Sequence, residues 1–237
     1  MSLGRPRLAL TLGDAAGIGP ELALRMVSDP RIARLCQLLI YGNQALLQRV
    51  ARASGVAWPR DWHVYPRSDD AAAPSVASDT PVLFDFPFAE AANVLPGRVQ
   101  AACGRQAHTW ICAAVRDIQA GSADGLVTAP INKAALHAAG VNVPGHTELL
   151  AGLTGGATPC MAFHADRLFV ALATIHEALR DVPGLLTVPG LLHTIRLTSA
   201  ACARLNGASP RIAVLALNPH AGEGGLFGCE EREVIAN

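Results

Sequence analysis

Short apolar runs alternate with segments of helical period along this chain, and several runs end in a polar turn. Arg7–Leu12, Gln37–Tyr41 and Gly125–Thr128 read as strands. Leu22–Val27 and Asn43–Ala53 read as helices, as does a long stretch from about 98 to 120. In that stretch Val99, Cys103, Ala107, Trp110, Ile111, Ala114, Val115 and Ile118 recur at helical spacing. His108 lies within it and reads as a structural histidine. Such alternation confines the chain to an α/β fold with a largely parallel sheet. In open sheets of this kind ligands bind beyond the carboxyl ends of the strands.

The polar turns therefore carry the chemistry. Gly125–Thr128 leads through Ala129-Pro130-Ile131-Asn132 to Lys133. A helix from Lys133 to Ala139 follows, and then a Pro144-Gly145 turn that presents His146 and Thr147. Lys133 is the single lysine among 19 Lys and Arg residues. A compact ammonium at one place, with guanidinium everywhere else, fits a need that arginine does not meet. The first strand delivers Asp14 within Gly13-Asp14-Ala15-Ala16-Gly17-Ile18-Gly19-Pro20-Glu21. Glycines there permit a tight turn, and Pro20 suits a first helical position. A glycine-rich loop between strand and helix can cradle an anion, but this spacing matches neither the phosphate-loop nor the dinucleotide fingerprint.

The stretch Ser54–Pro96 reads as irregular, with a surface loop at Asp69–Ser78 and an edge strand at Pro81–Phe86. Further on, Leu149–Leu153 reads as helix. Cys160–Phe163 and Leu168–Thr174 suggest a hairpin turning at His164–Arg167 and delivering His176. A helix from Val188 to Leu205, a strand Arg211–Leu217 delivering His220, and a helix starting at Glu230 complete the chain. Two imidazoles just past strand ends suit a divalent cation such as zinc. Each alone is more often a packed or surface histidine, and a catalytic zinc usually takes three protein ligands. The residues by themselves reach as far as a metal-assisted enzyme acting on a small anion.

Composition removes other classes. The chain is 51% hydrophobic and 16% charged, enough for a buried core. With no net charge and 5% aromatics it lacks a basic stripe or stacking platform for nucleic acid. No apolar run approaches a membrane span. Six cysteines without a Cys-x-x-Cys pair read as reduced core residues. The start of the chain lacks an apolar signal region, so the expected location is the cytoplasm.

Five motifs then occur in order: residues 13–21, Thr-Ala-Pro-Ile-Asn-Lys (128–133), Pro-Gly-His-Thr-Glu (144–148), Ala-Thr-Ile-His (173–176) with Leu-Arg-Asp (179–181), and Leu-Asn-Pro-His-Ala-Gly-Glu-Gly-Gly (217–225). Together they resemble the 4-hydroxythreonine-4-phosphate dehydrogenase family of pyridoxal phosphate biosynthesis. The resemblance implies an isocitrate/isopropylmalate dehydrogenase-like fold, with two α/β domains (1–127 and 128–237) flanking a cleft, and a homodimer. It implies oxidation and decarboxylation of 4-phosphooxy-L-threonine to 3-amino-2-oxopropyl phosphate, with NAD or NADP and a divalent metal (Zn, Mg or Co). Residue by residue, it implies that His146 and Thr147 contact substrate and that His176 and His220 bind the metal. Asp14 and Lys133 become candidate substrate or cofactor contacts. Ala15 stands where the family usually has proline. The family pattern also continues past residue 237, to a third metal histidine in Tyr-His-Asp-Gln-Gly, so the resemblance implies a C-terminally truncated chain. Alternative readings are a dehydrogenase of threonate or erythronate 4-phosphate, and an inactive fragment that binds only metal or a partner.

Overall fold

A computed structural model of the chain describes residues 5–69, 80–165 and 168–237. The chain divides into two compact units, Met1–Ala157 and Thr158–Asn237.

The first unit is built on five strands: β1 (Arg7–Thr11), β2 (Gln37–Gly42), β3 (His63–Pro66), β4 (Val82–Asp85) and β5 (Gly125–Thr128). All pair in parallel, in the order β3-β4-β2-β1-β5. Leu10 of β1 sits opposite Ile40 on one side and Val127 on the other. Every residue of β2 is buried, as expected of an apolar run covered on both faces.

Among the described residues this unit carries six α-helices: α1 (Gly19–Val27), α2 (Pro30–Leu35), α3 (Gln44–Ser54), α4 (Ala101–Gln119), α5 (Lys133–Ala138) and α6 (His146–Leu153). Their ends follow local chemistry. Pro20 lies in the first turn of α1, where a missing N–H costs nothing. The Asn43 side chain caps α3 by accepting from the Leu46 N–H at 2.9 Å. Gly55 ends α3 in the left-handed region. On α4, Cys103, Ala107, Trp110, Ile111 and Ala114 are buried, as their spacing predicts.

The structure differs from the sequence reading at two places here. The Pro81–Phe86 strand is β4, and it lies inside the sheet with Val82, Leu83 and Phe84 fully buried. The edge belongs to β3, in a stretch that reads as irregular because four half-exposed residues ending in proline carry no clear alternation. The expected surface loop at Asp69–Ser78 lies outside the described residues from 70 onward. The compact unit runs on past β5. β5 is laddered to β1, and Leu149 of α6 packs on Ile111 and Val115 of α4, which keeps everything through α6 with the first unit.

A buried polar knot ties three elements of this unit together. Arg67, one residue beyond β3, pairs with Asp117 of α4 through bonds of 2.5 and 2.8 Å, with both side chains 1–2% exposed. The Tyr41 hydroxyl of β2 donates to the same carboxylate at 2.6 Å. The Arg67 guanidinium lies 4.9 Å from the Phe84 ring centroid and close to the rings of Tyr41 and Phe86. Burial, and then the Asp117 carboxylate, push the Tyr41 phenol far above its ordinary range, so it stays a donor.

The second unit begins with the expected hairpin, β6 (Ala162–Ala165) against β7 (Leu168–Ala171), with Phe163 opposite Val170. Residues 166 and 167, within the expected turn, lie outside the described residues. After α7 (Val182–Leu185) comes α8 (Val188–Asn206), which Thr187 caps by accepting from the Gly190 N–H at 3.2 Å. Arg211–Leu217 is a correction: it forms no strand, because no neighbouring strand among the described residues offers it a ladder. The helix expected from Glu230 is a single wide turn, Glu231–Ile235.

Candidate active site

The sheet order places a switch point beside β1. The chain leaves β1 toward β2 on one side, and α4 later returns it to β5 on the other. The loops after β1 and β5 therefore diverge at one end of the sheet, where α/β proteins bind ligands.

These two loops touch at their roots. Gly13 has φ +65°, and a Cβ there would sit 2.3 Å from the Pro130 carbonyl oxygen, so only glycine fits. The Asp14 N–H donates to that same oxygen at 2.9 Å. The Asp14 carboxylate, itself buried, accepts from the Ala16 N–H at 3.0 Å. That bond closes a local turn and makes Asp14 a loop-shaping residue.

Past β5, Asn132 caps α5 by accepting from the Ala135 N–H at 3.1 Å, which fixes Lys133 as the first helical residue. The Lys133 side chain then reaches Gly145. A Cβ on Gly145 would lie 3.7 Å from Nζ of Lys133 and 3.3 Å from a Glu148 carboxylate oxygen. The structure thus brings Lys133 and the 145–148 turn together. Among the described residues Lys133 makes no ion pair or hydrogen bond, which leaves its ammonium available to a ligand.

His146 and Thr147 open α6 and are half-buried. Nε2 of His146 is fully buried and has no hydrogen-bond partner among the described residues. Burial holds its pKa below the usual 6.5, so the ring is neutral near pH 7. Gly145 caps α6 without a side chain, so its first-turn N–H groups meet no side-chain acceptor. A lone ammonium, helix-start amides and a neutral imidazole form a donor set suited to an anion.

His146 has a consequence for stability. Its proton binds the unfolded chain more tightly than the folded one, as does that of His108, which burial also lowers. Stability is then complete above about pH 6.5 and falls as the pH drops below it. We expect the urea midpoint to fall between pH 7.5 and 5.5, and to fall less in His146→Asn. Equal slopes in the two proteins would contradict a desolvated His146.

In the second unit His176 and His220 are both exposed and both at positive φ, 58° and 52°. His220 opens a left-handed turn in which Ala221, Gly222, Glu223 and Gly224 also have positive φ. For residues with a side chain this conformation costs roughly 1–2 kcal/mol each. Three bonds hold the turn from its flank: Glu231 accepts from the Asn218 N–H at 2.6 Å, and the Asn218 side-chain amide donates to Glu230 at 2.8 Å and to Glu231 at 3.1 Å. Among the described residues no three His, Cys, Asp or Glu side chains cluster closely enough to hold a metal ion. His176 and His220 therefore do not complete a metal centre on their own.

Sequence reasoning missed two participants in the first unit. Glu148 was visible only as part of the Gly-His-Thr-Glu motif, and Gly145 only as a turn residue. The signal that would have singled them out is the return of the chain after α5 to the side chain of its first residue.

A parallel α/β sheet with an anion-suited donor cluster beyond β5 defines an α/β enzyme of the isocitrate/isopropylmalate dehydrogenase-like class. Residues 34–237 match the family described as pyridoxal phosphate biosynthetic protein PdxA. The chain belongs to that family. It is 40% identical over 232 residues to the 4-hydroxythreonine-4-phosphate dehydrogenase of Geobacter metallireducens, covering 98% of this chain and 67% of the relative. It is 37% identical over 237 residues to the D-threonate 4-phosphate dehydrogenase of Bordetella bronchiseptica, covering 98% of this chain and 65% of the relative. The crystal structure of 4-hydroxythreonine-4-phosphate dehydrogenase from Klebsiella pneumoniae superposes with a TM-score of 0.84 at 34% identity, covering all of this chain and 70% of that one.

Proposed function

We propose that this chain oxidises the secondary hydroxyl of 4-phosphooxy-L-threonine, and that the resulting β-keto acid loses carbon dioxide to give 3-amino-2-oxopropyl phosphate. The observation that carries this reading is the grouping of Lys133 with the 145–148 turn beyond β5, in a chain of this family. NAD or NADP supplies the hydride acceptor when bound. The chain's own residues supply binding and orientation. Lys133 offers an unpaired charge to a substrate anion. The helix-start amides of α6 and the Thr147 hydroxyl offer further donors. His146, half-buried at the start of α6, would meet the substrate with the part of its ring that solvent reaches. His176 and His220 would give two of the donors for a divalent cation (Zn, Mg or Co), since neither imidazole has a hydrogen bond among the described residues. A cytoplasmic homodimer belongs to the same reading. No helix among the described residues is long and apolar enough to cross a membrane.

D-threonate 4-phosphate is the second reading, favoured by relatives of that name at similar identity. The two substrates differ at the carbon that bears an amine in one and a hydroxyl in the other. Initial rates of NAD and NADP reduction with each substrate decide between them. We expect kcat/KM at least tenfold higher for 4-phosphooxy-L-threonine, with release of carbon dioxide. The reverse ratio would install the second reading, and no reduction with either would sink both.

A further inference from the structure

The turn that carries His220 stands against its own local preference. Five consecutive residues, His220 to Gly224, have φ between 43° and 80°. Glycine accepts that region freely, but His220, Ala221 and Glu223 each carry a Cβ that disfavours it. Backbone of this kind persists only where its surroundings impose it.

The imposing groups come from residues 228–231, and Glu231 meets the turn at two points. One of its carboxylate oxygens accepts from the Asn218 N–H at 2.6 Å, and the other accepts from the Asn218 side-chain amide at 3.1 Å. That second oxygen also lies 3.0 Å from where a Cβ on Gly222 would stand, and the Gly228 carbonyl oxygen lies 2.9 Å from the same point. Gly222 is therefore packed flush against Glu231 in the middle of the turn. Glu230 accepts from the same Asn218 amide at 2.8 Å, so one NH2 group serves two carboxylates. Bonds to ionised acceptors are the strong ones. The carboxylates are fixed in turn, since the Ala236 N–H donates to the Glu231 carbonyl and the Glu233 N–H to the Cys229 carbonyl, both at 2.8 Å.

We propose that Glu230 and Glu231 are positioning residues for His220. Acting through Asn218, they hold the left-handed turn and so fix where the imidazole is presented. The role rests on reading His220 as a donor to a divalent cation. Glu231 is not itself a ligand in this arrangement, because both of its oxygens are engaged by Asn218. Groups that hold a metal-binding histidine in place typically set roughly 10- to 100-fold of the metal affinity.

The test uses the untagged 237-residue chain, labelled for NMR, with cobalt(II) as the probe. The Asn218 amide reports on the grip of Glu231, and the Phe227 amide, which donates to the Gly222 carbonyl, reports on closure of the turn. Glu231→Ala should speed exchange of both amides at least tenfold. It should also raise the cobalt concentration that half-broadens the His220 ring signals roughly 10- to 100-fold. Glu233→Ala removes a carboxylate from the same wide turn, one that pairs with Arg232 instead, and should change neither readout. Asn218→Asp sets a third carboxylate against the other two and should behave like Glu231→Ala. Adding Glu230→Gln and Glu231→Gln to it restores the match with donor and acceptor exchanged, and should recover most of the cobalt affinity. Unchanged exchange of Asn218 and Phe227 in Glu231→Ala would overturn the proposal. Equal effects of Glu231→Ala and Glu233→Ala would do the same, by showing a general loosening of the wide turn. Cobalt that leaves the His220 signals of the unaltered chain untouched would remove the cation reading on which the role depends, whatever the two amides show.

Discussion

Asp117→Ala is expected to destabilise the first unit by about 3–5 kcal/mol, the usual result of stripping one partner from a buried ion pair. The Arg67 guanidinium would be left 1% exposed among the rings of Tyr41, Phe84 and Phe86 with its carboxylate gone. Tyr41 would lose its acceptor in the same step. Urea denaturation followed by tryptophan fluorescence measures the loss, since Trp110 lies on the same helix as Asp117. The contrasting variant is Arg67→Met with Asp117→Leu. It removes both charges together, so it should cost much less than either single change. If Asp117→Ala costs under 1 kcal/mol, the knot does not hold β2, the end of β3 and α4 together as described.

Lys133→Ala should act on catalysis and leave the fold alone. The side chain is exposed and unpaired among the described residues, so the thermal midpoint should stay within a degree or two. A hydrogen bond to a charged group is worth about 1.5–3 kcal/mol, so kcat/KM should fall roughly 10- to 150-fold. Lys133→Arg should recover little, because a forked guanidinium does not fit where one compact ammonium sits beside Gly145. A Lys133→Ala enzyme with unchanged kcat/KM for the preferred phosphorylated acid would remove Lys133 from the site.

The fold was legible wherever apolar period and cap chemistry agreed. β1, β2, β5, α3 and α4 declared themselves because each carries its own hydrophobic pattern and its own stop signals. β3 did not, because its place at the sheet edge comes from pairing with β4, a contact invisible in four residues. Arg211–Leu217 shows the opposite failure: the pattern of a strand is present, but a strand exists only with a neighbour. The Lys133–Gly145 approach was half legible. The lone lysine and the Pro-Gly turn both stood out, yet nothing local says that the chain returns from α5 to its own first residue. Arg67 and Asp117 gave no warning at all, since a charge in a sequence reads as solvated until the structure buries it.

The order β3-β4-β2-β1-β5 also has a meaning in time. Arg7 meets Asp124 across 117 positions of sequence, so the flank of β1 that receives β5 waits for all of that chain to be made. At ordinary rates of translation the wait is on the order of ten seconds. Throughout it the nascent polypeptide carries a bare apolar margin at its oldest end. Conditions that slow elongation between β4 and β5 would lengthen that interval, and yield in the cell would then depend on how quickly a ribosome-bound chaperone shelters β1.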